Sequence, residues 1–407
     1  MNLYVVGGAV RDRLLGKTPK DLDYVVVGET PETMINLGFT KVGADFPVFL
    51  HPESGDEYAL ARTERSTGIG YNDFETDYNP KVTLEDDLAR RDLTVNAMAV
   101  PVAFWDHDDW QDYIIDPHNG LDDIKAQILR HTTEAFKEDP LRILRVARFS
   151  ARYGWEVDHS TYSLMMGMRD MVYPTFYLEE GGLVPERVWA ELSRAMMEPY
   201  AWKFFEVLEN CALERVVFPH FNLNRILDDT YMVSFLPCEE LGRAVKNNLS
   251  LEQRYAMVAS DLSQDQHTEM KVPLDCSKMA LAVGELINDI IGLDFKEQPE
   301  DVVRIIHRLK MRQDIQFAAD VFTTIDAMLF TGESVDDCFR ASHEVTWEWL
   351  KDVNIQMKNM DYDAIVQKAK ADKESVRDAV KNAEIACAVE YHEMRLRGWK
   401  ARMAMSL

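Results

Sequence analysis

Two adjacent glycines near the start of the chain constrain its fold more than any other feature of the sequence. Leu3-Tyr4-Val5-Val6 predicts a short buried strand, and Gly7-Gly8 allows the backbone to turn sharply into a helix from about Ala9 to Leu15. Gly16 should end that helix, and a second strand is predicted from Asp21 to Val27. The chain is therefore expected to open with a strand, a tight turn, a helix and a strand.

The same segment carries groups that suit a triphosphate and a metal ion. A turn that leads into a helix leaves free N–H groups at the positive helix end, and Gly8 and Arg11 lie there. Asp21 and Asp23 alternate with Leu22 in the predicted strand and so share one face. Two neighbouring carboxylates repel each other unless a cation such as Mg²⁺ lies between them. Either pattern alone is usually an exposed surface loop, and only the combination indicates a nucleotide and metal site.

This stretch, GGAVRDRLLG followed by KDLDYVVVG, resembles class II CCA-adding tRNA nucleotidyltransferases and the related bacterial poly(A) polymerases. The resemblance is to the short bacterial CCA-adding form and continues with few breaks to about Glu191. It implies an α+β fold, in which a polymerase-beta-like head with a mixed sheet precedes an all-helical neck, body and tail. It also implies Mg²⁺ on Asp21 and Asp23 as the catalytic residues, a triphosphate held by Gly8 and Arg11, CTP and ATP as substrates, and tRNA as partner.

The charge of the chain argues against a protein that holds nucleic acid by bulk electrostatics. Its 407 residues include 45 Lys and Arg against 70 Asp and Glu, a net charge of −25, whereas phosphate binding normally relies on Lys and Arg. RNA recognition must therefore rest on a local basic strip.

The sequence contains no run of about 18 apolar residues and no charged leader, so neither a membrane span nor a secretory signal is predicted. Five scattered cysteines without a CxxC pair fit a reducing cytoplasm.

Two segments before residue 80 carry weaker expectations. Val48–Leu50 and Glu57–Arg62 predict a hairpin, and Glu57 is either a third carboxylate for the metal site or a solvated hairpin residue. Residues 66–79 are polar and contain glycines, which predicts a mobile loop. In the resembled family the loop here moves as the enzyme switches from adding C to adding A; the alternative is an ordinary surface loop.

A second group of candidate residues lies between positions 90 and 97. Thr83-Leu84-Glu85-Asp86 has the form of a capping box and predicts a helix that continues through this group. On that helix Asp92 and Asn96 would share a face and could bond ribose hydroxyls, while Arg91 could reach a phosphate. Taken alone, such a charged face is usually solvated. The match to the family's RRDxxxNA motif instead implies nucleotide binding.

Residues 138–142, Glu-Asp-Pro-Leu-Arg, open a third informative stretch. A proline suits the first position of a helix and a glycine follows where a C-terminal cap belongs, which predicts a helix over about 140–153. On the residues alone, Asp139 is a helix cap and Arg142 and Arg145 belong to a solvated stripe. The match to the EDxxR motif, with which class II enzymes read the incoming base, implies that these three residues contact the base and its surroundings.

The later part of the chain is predicted to be helical. In the short bacterial CCA-adding form it holds a metal-dependent phosphohydrolase domain built on a His-Asp pair. Here Ser260 stands before Asp261 where the histidine belongs, and His267 is isolated. Because a hydroxyl cannot replace an imidazole ligand without severe loss of metal affinity, the region is interpreted as a structural remnant.

The resemblance divides the chain into a nucleotidyltransferase head (1–133), a neck with base recognition (134–220), a degenerate phosphohydrolase-like body (221–350) and a tail (351–407). The expected reaction is template-independent addition of C, C and A to the tRNA 3′ end in the cytoplasm by a monomer. A poly(A) polymerase and a catalytically idle RNA-binding descendant are the alternatives.

A basic cluster lies near the end of the chain and is either a complement to the helix dipole or an RNA contact. It consists of Arg395, Arg397, Trp399, Lys400 and Arg402.

Overall fold

The computed structural model of this chain describes residues 1–42, 48–66, 74–77, 79–172, 183–221, 237–291, 299–329 and 337–405. The chain forms two compact units, one of Met1–His220 with Thr268–Lys271 and the other of Phe221–His267 with Val272–Leu407. The finer division into head, neck, body and tail stays a prediction. Across the described residues, no helix has both the length and the apolar character that crossing a membrane requires.

A mixed sheet lies at the centre of the first unit, which confirms the predicted fold class. Its strands run in the order β3-β4-β5-β2-β1-β8, with β2 and β5 parallel and the other neighbours antiparallel. Outside it, β6 pairs with β7 and β9 pairs with β10. The strands of the described part are β1 (Asn2–Val6), β2 (Asp23–Val27), β3 (Thr40–Val42), β4 (Val48–Leu50), β5 (Glu57–Leu60), β6 (Thr63–Ser66), β7 (Phe74–Asp77), β8 (Ala99–Pro101), β9 (Ile128–Leu129) and β10 (Glu156–Val157).

Helices make up most of the remaining structure. Within the first unit, α6 packs against α8 and α9; within the second, α12 packs against α14 and α16. The α-helices of the described part are α1 (Gly8–Leu14), α2 (Pro31–Asn36), α3 (Leu84–Ala89), α4 (Val102–Trp105), α5 (Gly120–Ala126), α6 (Leu141–Tyr153), α7 (His159–Met166), α8 (Pro185–Met196), α9 (Trp202–Asn210), α10 (Glu214–Val217), α11 (Pro237–Lys246), α12 (Leu251–Ala259), α13 (Gln264–Glu269), α14 (Leu274–Ile291), α15 (Pro299–Arg308), α16 (Ile315–Leu329), α17 (Asp337–Lys358), α18 (Tyr362–Asp372) and α19 (Val376–Met405).

Apolar side chains of β1 are buried on both faces of the sheet. Val5 packs with Ala9 and Val10 of α1 on one face, whereas Val6 packs with Val25 and other buried side chains on the opposite face. This alternation follows from the two-residue period of a strand. It fixes α1 against the sheet, and so fixes the turn that joins β1 to α1.

Two predicted elements differ from the observed ones. The strand predicted from Asp21 begins only at Asp23, because Asp23 pairs with Val6, the last residue of β1, and the chain beyond Val6 turns into α1. The helix predicted to continue through Asn96 ends at Ala89, although its capping box is present. Leu93 is extended and forms a β-bridge with His131, which a continuous helix would not allow.

Two predictions fall partly on residues outside the described part of the structure. Residues 67–73 and 78 of the predicted mobile loop lie there. The long helix predicted at the end of the chain is present as α19, and its Arg397 pairs with Glu393 at 3.1 Å. The structure describes only the backbone at the other positions of the basic cluster: Arg395, Trp399, Lys400 and Arg402.

In the second unit, helices pack closely where the resemblance places a phosphohydrolase centre. Ser260 follows α12 directly, and a Cβ atom on Gly284 of α14 would lie 2.0 Å from its carbonyl oxygen. His267 is fully buried with Nδ1 2.9 Å from the Tyr255 hydroxyl, and burial lowers its pKa. Among the described residues, no three His, Cys, Asp or Glu side chains lie together as a metal site would need.

Candidate nucleotide and metal site

The turn between β1 and α1 depends on the backbone conformation of Gly7. Gly7 has a φ of +69°, in the left-handed region that other residues rarely adopt. A Cβ atom at this position would also lie 2.7 Å from Nη1 of Arg91. The guanidinium of Arg91 therefore lies directly against the turn, beside Gly8.

This turn opens onto a cavity of about 450 Å³ whose wall is rich in arginine. Most of the residues predicted from the sequence line it: Gly8, Arg11, Asp23, Arg91, Asp92, Asn96, Asp139, Arg142 and Arg145. Further arginines of the wall were not among those predictions: Arg90, Arg148, Arg152 and Arg187. Eight arginines thus face three aspartates in the wall of this cavity, within a chain whose net charge is −25.

The two candidate metal ligands occupy different positions. Asp23 is exposed at the start of β2 and lines the cavity, whereas Asp21 lies in a bend before the strand and does not line it. Within the described residues, neither carboxylate has a hydrogen-bond or ion-pair partner. Glu57 lies beside Asp23, because Tyr24 pairs with Tyr58 in the parallel β2–β5 ladder, and both line a smaller cavity of about 180 Å³. The two explanations of Glu57 remain open.

Arg11 is held more tightly than its place in the sequence indicates. Its side chain is 5% exposed and donates to Asp12 Oδ1 from Nε at 2.9 Å and from Nη2 at 2.8 Å, while Nη1 donates to the Asn96 side chain. The guanidinium also lies 5.1 Å from the ring centre of Phe149 and 5.3 Å from that of Tyr153. Much of its hydrogen-bonding capacity is therefore used within the protein, and it joins α1 to α6.

Asp92 and Asn96 meet even though no helix carries them. Asn96 Nδ2 donates to Asp92 Oδ1 at 3.0 Å, as does the backbone N–H of Leu93 at 2.8 Å, and Arg145 Nε donates to Oδ2 at 2.7 Å. Burial alone would raise the pKa of Asp92, but the charge of Arg145 and these hydrogen bonds hold the pKa well below its ordinary value. The carboxylate stays charged and orients Arg145 and Asn96 in the cavity wall.

Asp139 caps a helix and also lines the cavity, while its role in base recognition stays a prediction. Its Oδ1 accepts a hydrogen bond from the backbone N–H of Leu141 at 3.0 Å, at the start of α6, so it does cap the helix. Its Oδ2 accepts from Nη2 of Arg187 at 2.7 Å, and it lines the cavity. Arg142 is buried beside it and donates from Nη1 to the Ala135 carbonyl at 2.8 Å.

The additional arginines belong to sequence patterns that were recognised, but these patterns did not show that the arginines line the cavity. Arg148 and Arg152 continue the stripe begun by the EDxxR motif on α6, and Arg148 pairs with Glu191 of α8. Arg152 is 33% exposed and lies 3.4 Å from Asp12. Arg187 belongs to a PERxxxE pattern at the start of α8. A helical stripe shows which residues share a face, but not that α8 supplies the acidic partner of Arg148.

The sequence matches two described domains of known families. Residues 3–130 match the poly A polymerase head domain, and residues 183–224 match a domain described as the probable RNA and SrmB-binding site of polymerase A. The first match contains the β1–α1 turn, Asp21, Asp23 and Arg91. The second contains Arg187 and Glu191.

Curated relatives extend the similarity beyond these domains. A multifunctional CCA protein of Methylobacillus flagellatus is 42% identical over 320 residues, which cover 70% of this chain and 73% of that protein. The chain belongs to the tRNA nucleotidyltransferase/poly(A) polymerase family. Multifunctional CCA proteins of Acidovorax sp. and Acinetobacter baumannii are 52% and 46% identical over 54% and 65% of this chain. The matches span 49% and 63% of those two proteins, or about half to two thirds of their length.

Solved structures share the fold of the family at low sequence identity. A CCA-adding enzyme in complex with ATP has a TM-score of 0.62 at 19% identity, over 95% of this chain and 86% of that one. A Thermotoga maritima CCA-adding enzyme in complex with tRNA has a TM-score of 0.59 at 18% identity, over 94% and 86%. These likenesses extend over nearly the whole chain and establish its fold.

Proposed function

We propose that this chain adds C, C and A to the 3′ end of tRNA, using CTP and ATP and no nucleic-acid template. One observation carries the proposal: Asp23, without a partner among the described residues, faces a cavity walled by eight arginines beside the Gly7-Gly8 turn. A triphosphate needs concentrated positive charge, and transfer of its nucleotidyl group needs carboxylates next to that charge. Relatives named multifunctional CCA proteins support the choice of reaction.

The donor set at this site fits Mg²⁺. Asp21 and Asp23 offer hard carboxylate oxygens that no described side chain occupies, and Mg²⁺ is often bound by one or two carboxylates while water and substrate phosphates complete its shell. These two residues would hold the metal. When bound, Mg²⁺ would activate the terminal 3′-hydroxyl of the RNA and neutralise charge on the pyrophosphate leaving group.

Separate residues around the metal ligands would bind the phosphates, the ribose and the base of the nucleotide. Arg91 lines the cavity with its guanidinium against the Gly7-Gly8 turn, so this side chain would donate to a phosphate oxygen there. Asn96 and Arg145, oriented by Asp92, would face the ribose. Pairing inside the protein before substrate arrives reduces the reorganisation needed on binding.

Base selection would use Asp139 and Arg142. Cytosine and adenine each present an amino donor beside a ring-nitrogen acceptor on the Watson–Crick edge, whereas uracil and guanine present a carbonyl acceptor beside an N–H donor. A carboxylate only accepts and a guanidinium only donates. Asp139 beside Arg142 therefore complements C and A and opposes U and G.

The activity is tested with tRNA that lacks its last three nucleotides, incubated with labelled CTP and ATP and Mg²⁺. Sizing the product separates the candidate functions. Addition of three nucleotides supports the proposal, and addition of only one, from ATP, restricts it to the last step. The domain matches named for polymerase A keep a poly(A) polymerase as the second candidate, which would produce a long ladder with ATP alone. A catalytically idle descendant would bind tRNA without extending it. The cytoplasmic location and the monomeric state remain proposals.

A further inference from the structure

Asp87 is a buried carboxylate to which nothing in the proposed mechanism assigns a role. It lies in the last turn of α3 and its side chain is 0% exposed. Arg90 donates to Oδ1 from Nη2 at 2.7 Å and from Nε at 3.1 Å, and Arg91 donates to Oδ2 from Nη2 at 3.1 Å. The backbone N–H of Arg62 adds a longer contact to Oδ1 at 3.4 Å. Burial tends to raise the pKa of Asp87, but the two arginine charges and their hydrogen bonds lower it.

One of these partners lies in the candidate phosphate site. Nη2 of Arg91 is held by Asp87, while Nη1 of the same guanidinium lies against Gly7. Nε is the atom that has no partner in the described structure and is buried. A planar guanidinium fixed at one end presents its remaining N–H groups in a defined direction. Asp87 thus fixes the orientation of the Arg91 guanidinium in the cavity wall.

The same carboxylate also contacts the base of the β6–β7 hairpin. Arg62 immediately precedes β6, and its backbone N–H and carbonyl are both engaged: the N–H by Asp87, and the carbonyl by Nε of Arg90 at 3.1 Å. The two arginines and this backbone segment therefore share one acidic centre. A change at Asp87 would reach the turn at Gly7 and the start of the hairpin together.

We infer that Asp87 is a positioning residue of the nucleotide site, which holds the guanidinium of Arg91 against Gly7 in the wall of the cavity that would bind the triphosphate. The inference rests on the proposed function, since it assigns the arginine-walled cavity to a nucleoside triphosphate. Asp87 contributes to binding CTP and ATP alike, because it acts on the phosphate end of the nucleotide. It does not affect which base is chosen.

The test compares Asp87→Asn with Glu85→Gln, which removes the same charge from an exposed position of the same helix. Because a hydrogen bond to a charged group contributes on the order of tenfold or more in affinity, Asp87→Asn should raise the KM for CTP and for ATP about tenfold. The kcat and the preference over UTP and GTP should stay within about threefold of the wild type. Glu85→Gln should leave all three quantities unchanged.

A double-mutant cycle separates positioning from a general structural role. If Asp87 acts through Arg91, Asp87→Asn should raise the KM by less than about twofold once Arg91→Ala is present, because coupled residues are not additive. Equal effects of Asp87→Asn in both backgrounds, or an unchanged KM in the wild-type background, would overturn the inference. Should Asp87→Asn fail to fold, Arg91→Lys keeps the charge but not the planar fork, and a wild-type KM in that variant would overturn the inference as well. If the wild-type chain incorporates no nucleotide, the proposed function itself is refuted. The wild-type assay gives this result before any variant is made.

Discussion

The two units of this chain differ at the positions where the resemblance places a reactive centre. In the first, Asp23 and Arg91 line a cavity of about 450 Å³, and Asp23 has no partner in the described structure. In the second, the positions where the resemblance places a phosphohydrolase centre are packed: Ser260 contacts α14 at Gly284, and His267 bonds Tyr255. A ligand can reach a charged group that lines an open cavity, whereas closely packed side chains leave no room for one. The following predictions test this contrast, beginning with the largest effect.

Removing either metal ligand should abolish activity. Asp21→Ala and Asp23→Ala each delete a carboxylate that would hold Mg²⁺, so nucleotide incorporation at saturating Mg²⁺ should fall to the background rate. The affinity for tRNA should change little, because the RNA is held elsewhere. The measurement is single-turnover incorporation alongside a filter-binding titration. If both variants retain more than a few per cent of wild-type incorporation, the carboxylates do not bind the metal.

Reversing the polarity of the base-reading pair should redirect nucleotide choice. In the variant Asp139→Arg with Arg142→Asp, CTP and ATP would meet two like-facing groups, and each mismatched bidentate contact costs on the order of 1–3 kcal/mol. Use of CTP and ATP should therefore weaken by at least about tenfold relative to UTP and GTP. Relative kcat/KM values for the four triphosphates provide the measurement.

The pairing of Asp139 with Arg187 supplies a matched control for that experiment. Arg187→Gln leaves both base-reading residues in place but removes the ion pair at 2.7 Å. It should lower kcat/KM for all four triphosphates without reversing their order. An active double variant that keeps its preference for C and A would show that Asp139 and Arg142 do not read the base.

Close packing in the second unit should appear as a loss of stability. Gly284→Ala would usually stabilise a helix interior by up to about 1 kcal/mol. Here the added Cβ would lie 2.0 Å from the Ser260 carbonyl oxygen, and overpacking costs typically about 1–3 kcal/mol. Equilibrium denaturation followed by circular dichroism should therefore show a lower free energy of unfolding. An unchanged or higher value would mean that α12 and α14 can move apart at no cost.

The second unit should show no hydrolytic activity. With Ser260 in place of a ligand histidine, the chain should not hydrolyse 2′,3′-cyclic nucleotides or phosphate monoesters, even with Ni²⁺ or Co²⁺ added. Asp261→Ala should consequently change no measured rate. Clear metal-stimulated hydrolysis that Asp261→Ala abolishes would contradict the interpretation of this region as a remnant.

Sequence reasoning was most reliable where an interaction is local. The Gly7-Gly8 turn and the helix after Pro140 follow from residues close in sequence, and both are present. It was least reliable where a distant segment decides the outcome. β2 begins at Asp23 because β1 ends opposite it, and the helix that starts at Leu84 stops early because Leu93 bridges to His131.

The same difference between local and distant interactions decided how much of the site could be predicted. The nine residues named from motifs that line the cavity come from three short stretches, but some of their charge partners are distant in the sequence. Arg145 with Asp92 and Arg187 with Asp139 are separated by 53 and 48 residues. No periodicity in the sequence indicates such pairs. They determine which carboxylates are already occupied and which remain open, so the assignment of individual roles depended on the fold.

The capping role of Asp139 limits how this protein could be re-engineered. The side chain expected to select the base also accepts the first N–H of α6, and losing such a cap costs about 1 kcal/mol. A library that varies this position for new nucleotide specificity would therefore sample weakened folds at the same time. Variants with altered substrate range should emerge more readily from a background first stabilised elsewhere. Directed evolution of this site would best begin with the scaffold.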